Sequence, residues 1–244
     1  MSRWSKFTRS RPQAHKFTIL VVEDTRVTRA LVDLEWRADT RPLHQTIQSL
    51  LAANPQSATD LADQWLYVSL CERDLTAVAQ AAAAIPESGI AIDLNFPRAW
   101  CQGLAARARG DAAAAQTAFL AAREEVEKKV SEQPDYGSAL CVLGLIDAAL
   151  GHKAEAIREG RRAVELLPIT KDAIDGAELM KYLAVIYAWC GEKDLAIEQI
   201  AATVQTPNTL SYGNLKLDPK WDALRGDPRF EKMVAFLTPK KAER

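Results

Sequence analysis

The stretch of sequence that decides the fold runs from residue 138 to residue 168 and reads SALCVLGLIDAALGHKAEAIREGRRAVELLP. Its apolar residues recur every three to four positions, which is the period of an α-helix. Gly151 divides the stretch, and Pro168 closes it. A glycine in that place can adopt the positive φ that ends one helix and leads into the next. The stretch therefore predicts two helices joined by a tight turn, a helical hairpin.

The same pattern occurs around three glycines, Gly110, Gly151 and Gly191, which follow one another at nearly equal intervals. Small residues stand seven positions before each glycine and five and twelve positions after it. They are Gly103, Gly144 and Ala184, then Ala115, Ala156 and Ala196, then Ala122, Ala163 and Thr203. Two helices can pack closely only where no bulky side chain holds them apart. The pattern therefore predicts a stack of similar hairpins.

Residues 138–168 resemble a tetratricopeptide repeat (TPR). Residues fall where the family's motif places them at Leu143-Gly144, Gly151, Ala156, Ala163 and Pro168, and the interval from Pro134 to Pro168 equals the TPR period. The chain departs from the motif at Gly160, where the family has an aromatic residue, and at Asp147, where it has a tyrosine. Tyr187 does match that tyrosine one repeat later. The resemblance covers residues 97–207.

The resemblance implies an all-α fold, a right-handed α-solenoid of about five TPR-like helical hairpins with a short C-terminal pair of capping helices. The two hairpins before residue 97 are divergent, with predicted helices over 26–37, 43–53, 58–71 and 75–85. Arg73-Asp74 takes the place of the turn glycine in the second of them. Asp218-Pro219 and Asp227-Pro228 are helix-start signals that predict the two capping helices.

The domain prediction has three parts. Residues 1–25 form a basic N-terminal tail or lead-in whose order the sequence leaves open. Residues 26–207 form the TPR-like repeats, and residues 208–244 form the capping helices and a tail. Within the lead-in, residues 17–22 are expected either to form a short strand or to continue into the first helix.

The composition indicates a soluble protein of the cytoplasm. The net charge is -1, which provides no general attraction to nucleic acid or anionic membranes. The longest apolar run near the N-terminus, residues 19–22, is far too short to cross a bilayer. Four widely spaced cysteines, Cys71, Cys101, Cys141 and Cys190, are expected to be free thiols, which suits a reducing compartment, although two disulfides stay open as an alternative.

The sequence predicts neither catalysis nor a metal or other cofactor. His15, His44 and His152 are isolated, and none has a partner at metal-ligand spacing. The chain is therefore expected not to be an enzyme.

Two segments favour a minor alternative, in which the chain accepts a phosphoryl group. KFTILVVED at 16–24 resembles the opening of a response-regulator receiver domain, whose acidic residues (here Glu23 and Asp24) hold Mg²⁺. IAIDLNFP at 90–97 resembles the strand and loop that carry the phosphorylated aspartate, here Asp93. The interval between Asp24 and Asp93 is longer than in that family, and the text between them reads as helical hairpins.

The ending WDALRGDPRFEKMV at 221–234 resembles the C-terminal end of TPR regions in bacterial multidomain signalling proteins. In those proteins a Ser/Thr kinase, a winged-helix regulator or a nucleotide cyclase precedes the repeats. This resemblance implies an alternative function, in which the chain is the regulatory or sensor half of a signalling protein whose effector domain lies outside the chain.

The first helix of each hairpin lines the concave groove of a TPR stack, and this resemblance supplies the predicted partner-binding residues. They are Tyr67, Trp100, Leu104, Arg107, Ser138, Cys141, Leu145, Glu178, Lys181, Val185 and Trp189. A groove with two tryptophans flanked by charged residues suits an extended or helical peptide. Packing of Trp100 or Trp189 between hairpins remains an alternative. The sequence does not name the partner, and it leaves a homodimer open.

Overall fold

The computed structural model describes residues 14–91, 94–206 and 210–239, with side chains from residue 25 onward. The described chain is predominantly helical. Its helices are α1 (Ala14–Arg37), α2 (Arg41–Ala53), α3 (Ala62–Glu72), α4 (Leu75–Ala84), α5 (Arg98–Ala108), α6 (Ala112–Glu132), α7 (Gly137–Leu150), α8 (Lys153–Leu166), α9 (Asp175–Trp189), α10 (Lys193–Thr203), α11 (Tyr212–Leu217) and α12 (Pro228–Phe236). Short 3-10 helices lie at Pro55–Ala58 and Pro219–Leu224.

The first ten helices pack as consecutive pairs, α1 with α2 through α9 with α10, and each pair packs on the next along the chain. Helix α7 contacts α9 as well as α6 and α8. Strand structure in the described residues is confined to a two-residue antiparallel hairpin, β1 (Ile90–Ala91) and β2 (Asn95–Phe96). The prediction of an all-α fold is therefore confirmed.

The three aligned glycines lie at the turns between paired helices. Gly110, Gly151 and Gly191 have φ of 74°, 84° and 78°, the left-handed region that favours glycine. A Cβ built on any of them meets no atom within 4 Å, so the backbone conformation, and not lack of space, favours glycine. Arg73 occupies the corresponding turn between α3 and α4 with a φ of 60°.

The small residues of the pattern lie where helices cross. A Cβ on Gly103 would overlap the ring of Phe119, and Ala156 and Ala163 are fully enclosed. Gly160, which replaces the aromatic residue of the TPR motif, faces Ile186, whose Cδ1 lies 2.7 Å from the place of a Cβ. A large side chain from the following helix thus fills the space that an aromatic residue would need.

The N-terminal lead-in takes the second of its two predicted forms, a continuation into the first helix. Helix α1 begins at Ala14, so residues 17–22 are helical rather than a strand, and the predicted boundary at residue 25 falls inside a helix. Residues 1–13, Asp93 and the side chains of Glu23 and Asp24 lie outside the described part of the chain.

The C-terminal segment was expected to form a cap that covers the last hairpin. Asp218 and Asp227 do cap turns, because their carboxylates accept hydrogen bonds of 2.9 Å from the backbone N–H groups of Lys220 and Arg229. However, α11 packs on α1, the 3-10 helix Pro219–Leu224 packs on α9, and α12 packs on α10. Residues 210–225, which we call the strap, thus run from the last pair of helices back to the first.

Candidate functional site: the inner face and the strap

Aromatic side chains from α5, α6, α9 and the strand β2 meet on the face that α5 and α9 turn toward each other. The Trp100 ring centroid lies 5.5 Å from that of Phe96, 5.4 Å from Phe119 and 5.9 Å from Trp189. Tyr182 packs edge-on against Phe96 at 5.7 Å. Each such pair contributes roughly 0.5–1.5 kcal/mol beyond the area that it buries. We call this surface the aromatic floor.

Cationic side chains border the aromatic floor. The guanidinium of Arg107 lies 4.2 Å from the Trp189 ring centroid, and the ammonium of Lys181 lies 4.8 Å from that of Tyr182. Lys181 also forms an ion pair with Glu178, one turn earlier on α9. Burial lowers the pKa of Arg107, although nearby Asp222 opposes that shift. The floor therefore combines apolar area with positive charge.

The strap lies across the aromatic floor. The indole Nε1–H of Trp189 donates a 2.9 Å hydrogen bond to the backbone carbonyl of Lys220. The Lys220 ammonium lies 5.7 Å from the Tyr182 ring centroid. Trp221 is only 1% exposed, and its Nε1–H donates to Asn214 Oδ1 at 3.0 Å. Helix α9 therefore holds the carbonyl and the side chain of Lys220, and the strap itself holds the side chain of Trp221.

The N-terminal part of the strap is anchored on α1 and α3 through Glu35. Tyr67 donates a 2.8 Å hydrogen bond from its hydroxyl to Glu35 Oε1, and the Ser211 hydroxyl donates to Glu35 Oε2. Burial raises the pKa of Tyr67 well above its usual range, so its phenol stays a donor. A Cβ on Gly213 would overlap the carbonyl oxygen of Leu34, so this close approach needs a glycine.

Apolar burial contributes more to holding the strap in place than the exposed polar contacts of the strap do. Leu215, Trp221 and Leu224 are at most 1% exposed, and burial of three such side chains contributes roughly 5–9 kcal/mol before ordering costs. The ion pair from Arg73 to Asp222, at 2.8 Å, is nearly half exposed on both sides and adds little. The strap is thus an integral part of the folded core.

The structure brings some predicted groove residues together and encloses others. Trp100, Arg107 and Trp189 meet at the aromatic floor, with Leu104 half-buried on the same helix as the first two. Tyr67 instead meets the strap at Glu35 and Asn214. Ser138 lies apart, in a small cleft with Asn95 and Tyr136.

Cys141, Leu145 and Val185 require a correction, because they belong to the core and not to an open groove. All three are at most 1% exposed. Cys141 and Leu145 lie on α7, which is buried almost continuously from Ala139 to Ala148 by α6, α8 and α9. Val185 lies on α9, which is buried from Lys181 to Ala188 by α7, α8, α10 and the strap. Trp100, at 3% exposed, also packs between helices, as the alternative for that residue proposed.

Sequence reasoning missed several residues of the site, namely Glu35, Phe96, Tyr182, Asn214 and Lys220. Tyr182 lies four residues after Glu178 and three before Val185 on α9, so a helical register would have placed it beside the groove. The strap residues carried no such signal, because the C-terminal segment read as a local cap. Their roles depend on contacts that are distant in sequence, across 147 residues for Asn214 and 31 residues for Lys220.

The cysteines of the described chain are structural rather than reactive. All four cysteines are free thiols, and burial raises the pKa of Cys101 to about 12 and also raises those of Cys71 and Cys141. A thiol that resists ionisation is a poor nucleophile.

Among the described residues no group of three or more His, Cys, Asp or Glu side chains is placed to hold a metal ion. No described helix is long and apolar enough to cross a membrane.

Comparison of the chain with protein-family models, with curated proteins and with solved structures returned no match.

Proposed function

We propose that the chain is a protein-interaction module, a right-handed solenoid of about five TPR-type hairpins whose inner face binds a peptide segment. The turn glycines with positive φ and the enclosed small residues at the helix crossings support the TPR type. Binding of a protein or peptide partner, without catalysis or a cofactor, is the function that this arrangement suits best. The four free thiols fit the cytoplasm as its location.

One observation carries the proposal: the inner face already holds a peptide segment, the chain's own strap. Trp189 binds a backbone carbonyl of that segment, which is a contact that any sequence can make. Tyr182 and Arg107 supply aromatic and cationic surface beside it. Main-chain contacts with side-chain pockets between them are the usual means by which proteins recognise peptides.

The strap must limit the access of a partner. A peptide that uses the aromatic floor has to displace the part of the strap around Lys220 and Trp221, and its apparent affinity falls by the fraction of molecules in which the floor is open. A partner therefore binds weakly to the wild-type chain unless it replaces the apolar contacts of Trp221.

Gly213→Ala tests the proposal without leaving a cavity. The added Cβ overlaps the Leu34 carbonyl and should loosen the strap from α1. Immobilised Gly213→Ala protein should capture a partner from the native host's lysate more strongly than wild type does. Addition of Arg107→Glu, which reverses the charge beside Trp189, should abolish the gain.

Gly151→Ala is the matched control, because it strains a turn with a φ of 84° but leaves the strap in place. Circular dichroism establishes that each variant retains its helices. Equal capture by wild type, Gly213→Ala and the double variant would show that the inner face is not the working surface. That outcome would favour the alternative, in which the chain is a regulatory half attached to an effector domain.

A further inference from the structure

A buried carboxylate lies at the junction of α6, α7 and α8. Asp147, on α7, is fully enclosed. Its Oδ1 accepts hydrogen bonds from Arg123 Nε on α6 at 2.7 Å and from His152 Nδ1 in the following turn at 2.8 Å. Asp147 thus connects two helices and a turn through one oxygen atom.

A second buried acid lies beside Asp147. Glu159, on α8, is 8% exposed and lies within hydrogen-bonding reach of Asp147. Asp147 Oδ2 and Glu159 Oε2 are both buried, and neither has a hydrogen-bond partner among the described residues if both groups are ionised. Ionised carboxylates can only accept hydrogen bonds, so two of them cannot satisfy each other. One proton placed between the two oxygens satisfies both.

The surroundings of this pair do not supply the missing donor. Arg123 is shared between Asp147 and Glu127, and Arg158 reaches the other oxygen of Glu159 at 3.6 Å. From α9, Ile186 and Leu183 pack against the adjacent Gly160 and bring only apolar atoms.

The next junction along the chain shows how local this arrangement is. There Arg161, on α8, donates a 2.8 Å hydrogen bond to the hydroxyl of Tyr187 on α9. Tyr187 occupies the place in its own helix pair that Asp147 occupies one pair earlier. A neutral phenol needs no shared proton. The carboxylate of Asp147, in the equivalent place, therefore creates a need for a shared proton that the next junction lacks.

We propose that Asp147 and Glu159 share a single proton, and that its loss at higher pH loosens α8 from α7. The pair is then a pH-sensitive joint built into the stack. Once both groups are ionised, two negative charges face each other in a buried site, and their repulsion opposes the packing of the two helices.

The direction of the effect follows from the carboxyl of Glu159. Its pKa is raised from 4.5 to about 8, chiefly by burial and then by the negative charge of Asp147. Between these two values the unfolded chain has released the proton and the folded chain has kept it, so stability falls as pH rises through this window. The folded junction itself carries both charges only above about pH 8.

Hydrogen exchange of α7 and α8 in the full chain tests the joint. Between about pH 6 and about pH 9, and after correction for the intrinsic exchange rate, wild-type protection there should fall roughly tenfold. In Glu159→Gln, whose amide donates to Asp147 at every pH, protection should stay constant. Glu165→Gln, an exposed change on the same helix, should respond like wild type. An equal pH response in wild type and Glu159→Gln would overturn the proposal.

Carbon NMR of the wild-type side-chain carboxyls gives a readout that does not depend on a variant. One glutamate carboxyl should titrate close to pH 8, and its signal should be missing in Glu159→Gln. If every glutamate carboxyl titrates within about a unit of its usual pKa, near 4.3, the shared proton does not exist and the proposal fails.

Discussion

Gly103 and Gly151 belong to neighbouring hairpins, and each is required for a different physical reason. Gly103 leaves room for the ring of Phe119 at a helix crossing, whereas Gly151 adopts a φ of 84° in open space. A methyl group therefore meets a steric conflict at Gly103 and a conformational one at Gly151.

Alanine at each position separates the two effects. Gly151→Ala should lower the free energy of unfolding by about 1 kcal/mol, since only the backbone is strained. Gly103→Ala should cost about 1–3 kcal/mol, because a packed core has to shift. Phe119→Leu should recover part of the loss at Gly103 and none at Gly151. Urea denaturation of the three single variants and the two double variants measures these free energies, and equal recovery in both backgrounds would contradict this assignment.

At the residue scale, the sequence was sufficient for the positions whose role is local. The turn glycines and the small residues at helix crossings are determined by φ and by contact between neighbouring helices, so their spacing predicts them. Cys141 and Leu145 could not be placed in this way. Their enclosure depends on α9 closing over α7, which a pattern within one hairpin does not reveal.

At the scale of the element, the strap combines three kinds of attachment. Its α11 segment docks on α1 through Gly213, its hydroxyl at Ser211 binds Glu35, and its 3-10 helix lies on α9. The sequence predicted the capping aspartates of this region correctly, because an Asp-Pro pair is a local signal. It did not predict the partner of the strap, since no local signal encodes a contact between the two ends of the chain.

Glu35 joins α1, α3 and the strap, so its removal should loosen all three. Glu35→Ala leaves the hydroxyls of Tyr67 and Ser211 without their acceptor, and should cost about 1–3 kcal/mol of stability. Hydrogen exchange should rise over 211–217 as well. Glu124→Ala, an exposed change on α6, is the control and should stay within about 0.5 kcal/mol of wild type. No added exchange in the strap would mean that Glu35 does not hold it.

At the scale of the whole molecule, contact between α1 and α11 links the first pair of helices to the segment that follows the last. In an open stack each pair contacts only its neighbours, and the ends can unfold independently. Here the strap couples them, so a variant that frees the strap should weaken both ends together. One segment therefore both closes the stack and covers the aromatic floor.

The most direct measurement concerns peptide binding by the inner face. Trp221→Ala in the full chain removes the most deeply buried aromatic residue of the strap, and it is checked for retained helicity. A labelled peptide covering residues 210–226 is then titrated by fluorescence anisotropy. The proposed function predicts that this peptide binds saturably to Trp221→Ala. It should bind little to wild type, where the tethered strap competes at roughly millimolar effective concentration. A peptide that itself carries the Trp221→Ala substitution should not bind to either protein. If the peptide does not bind to folded Trp221→Ala, or if both peptides bind equally, the inner face is not a peptide-binding surface.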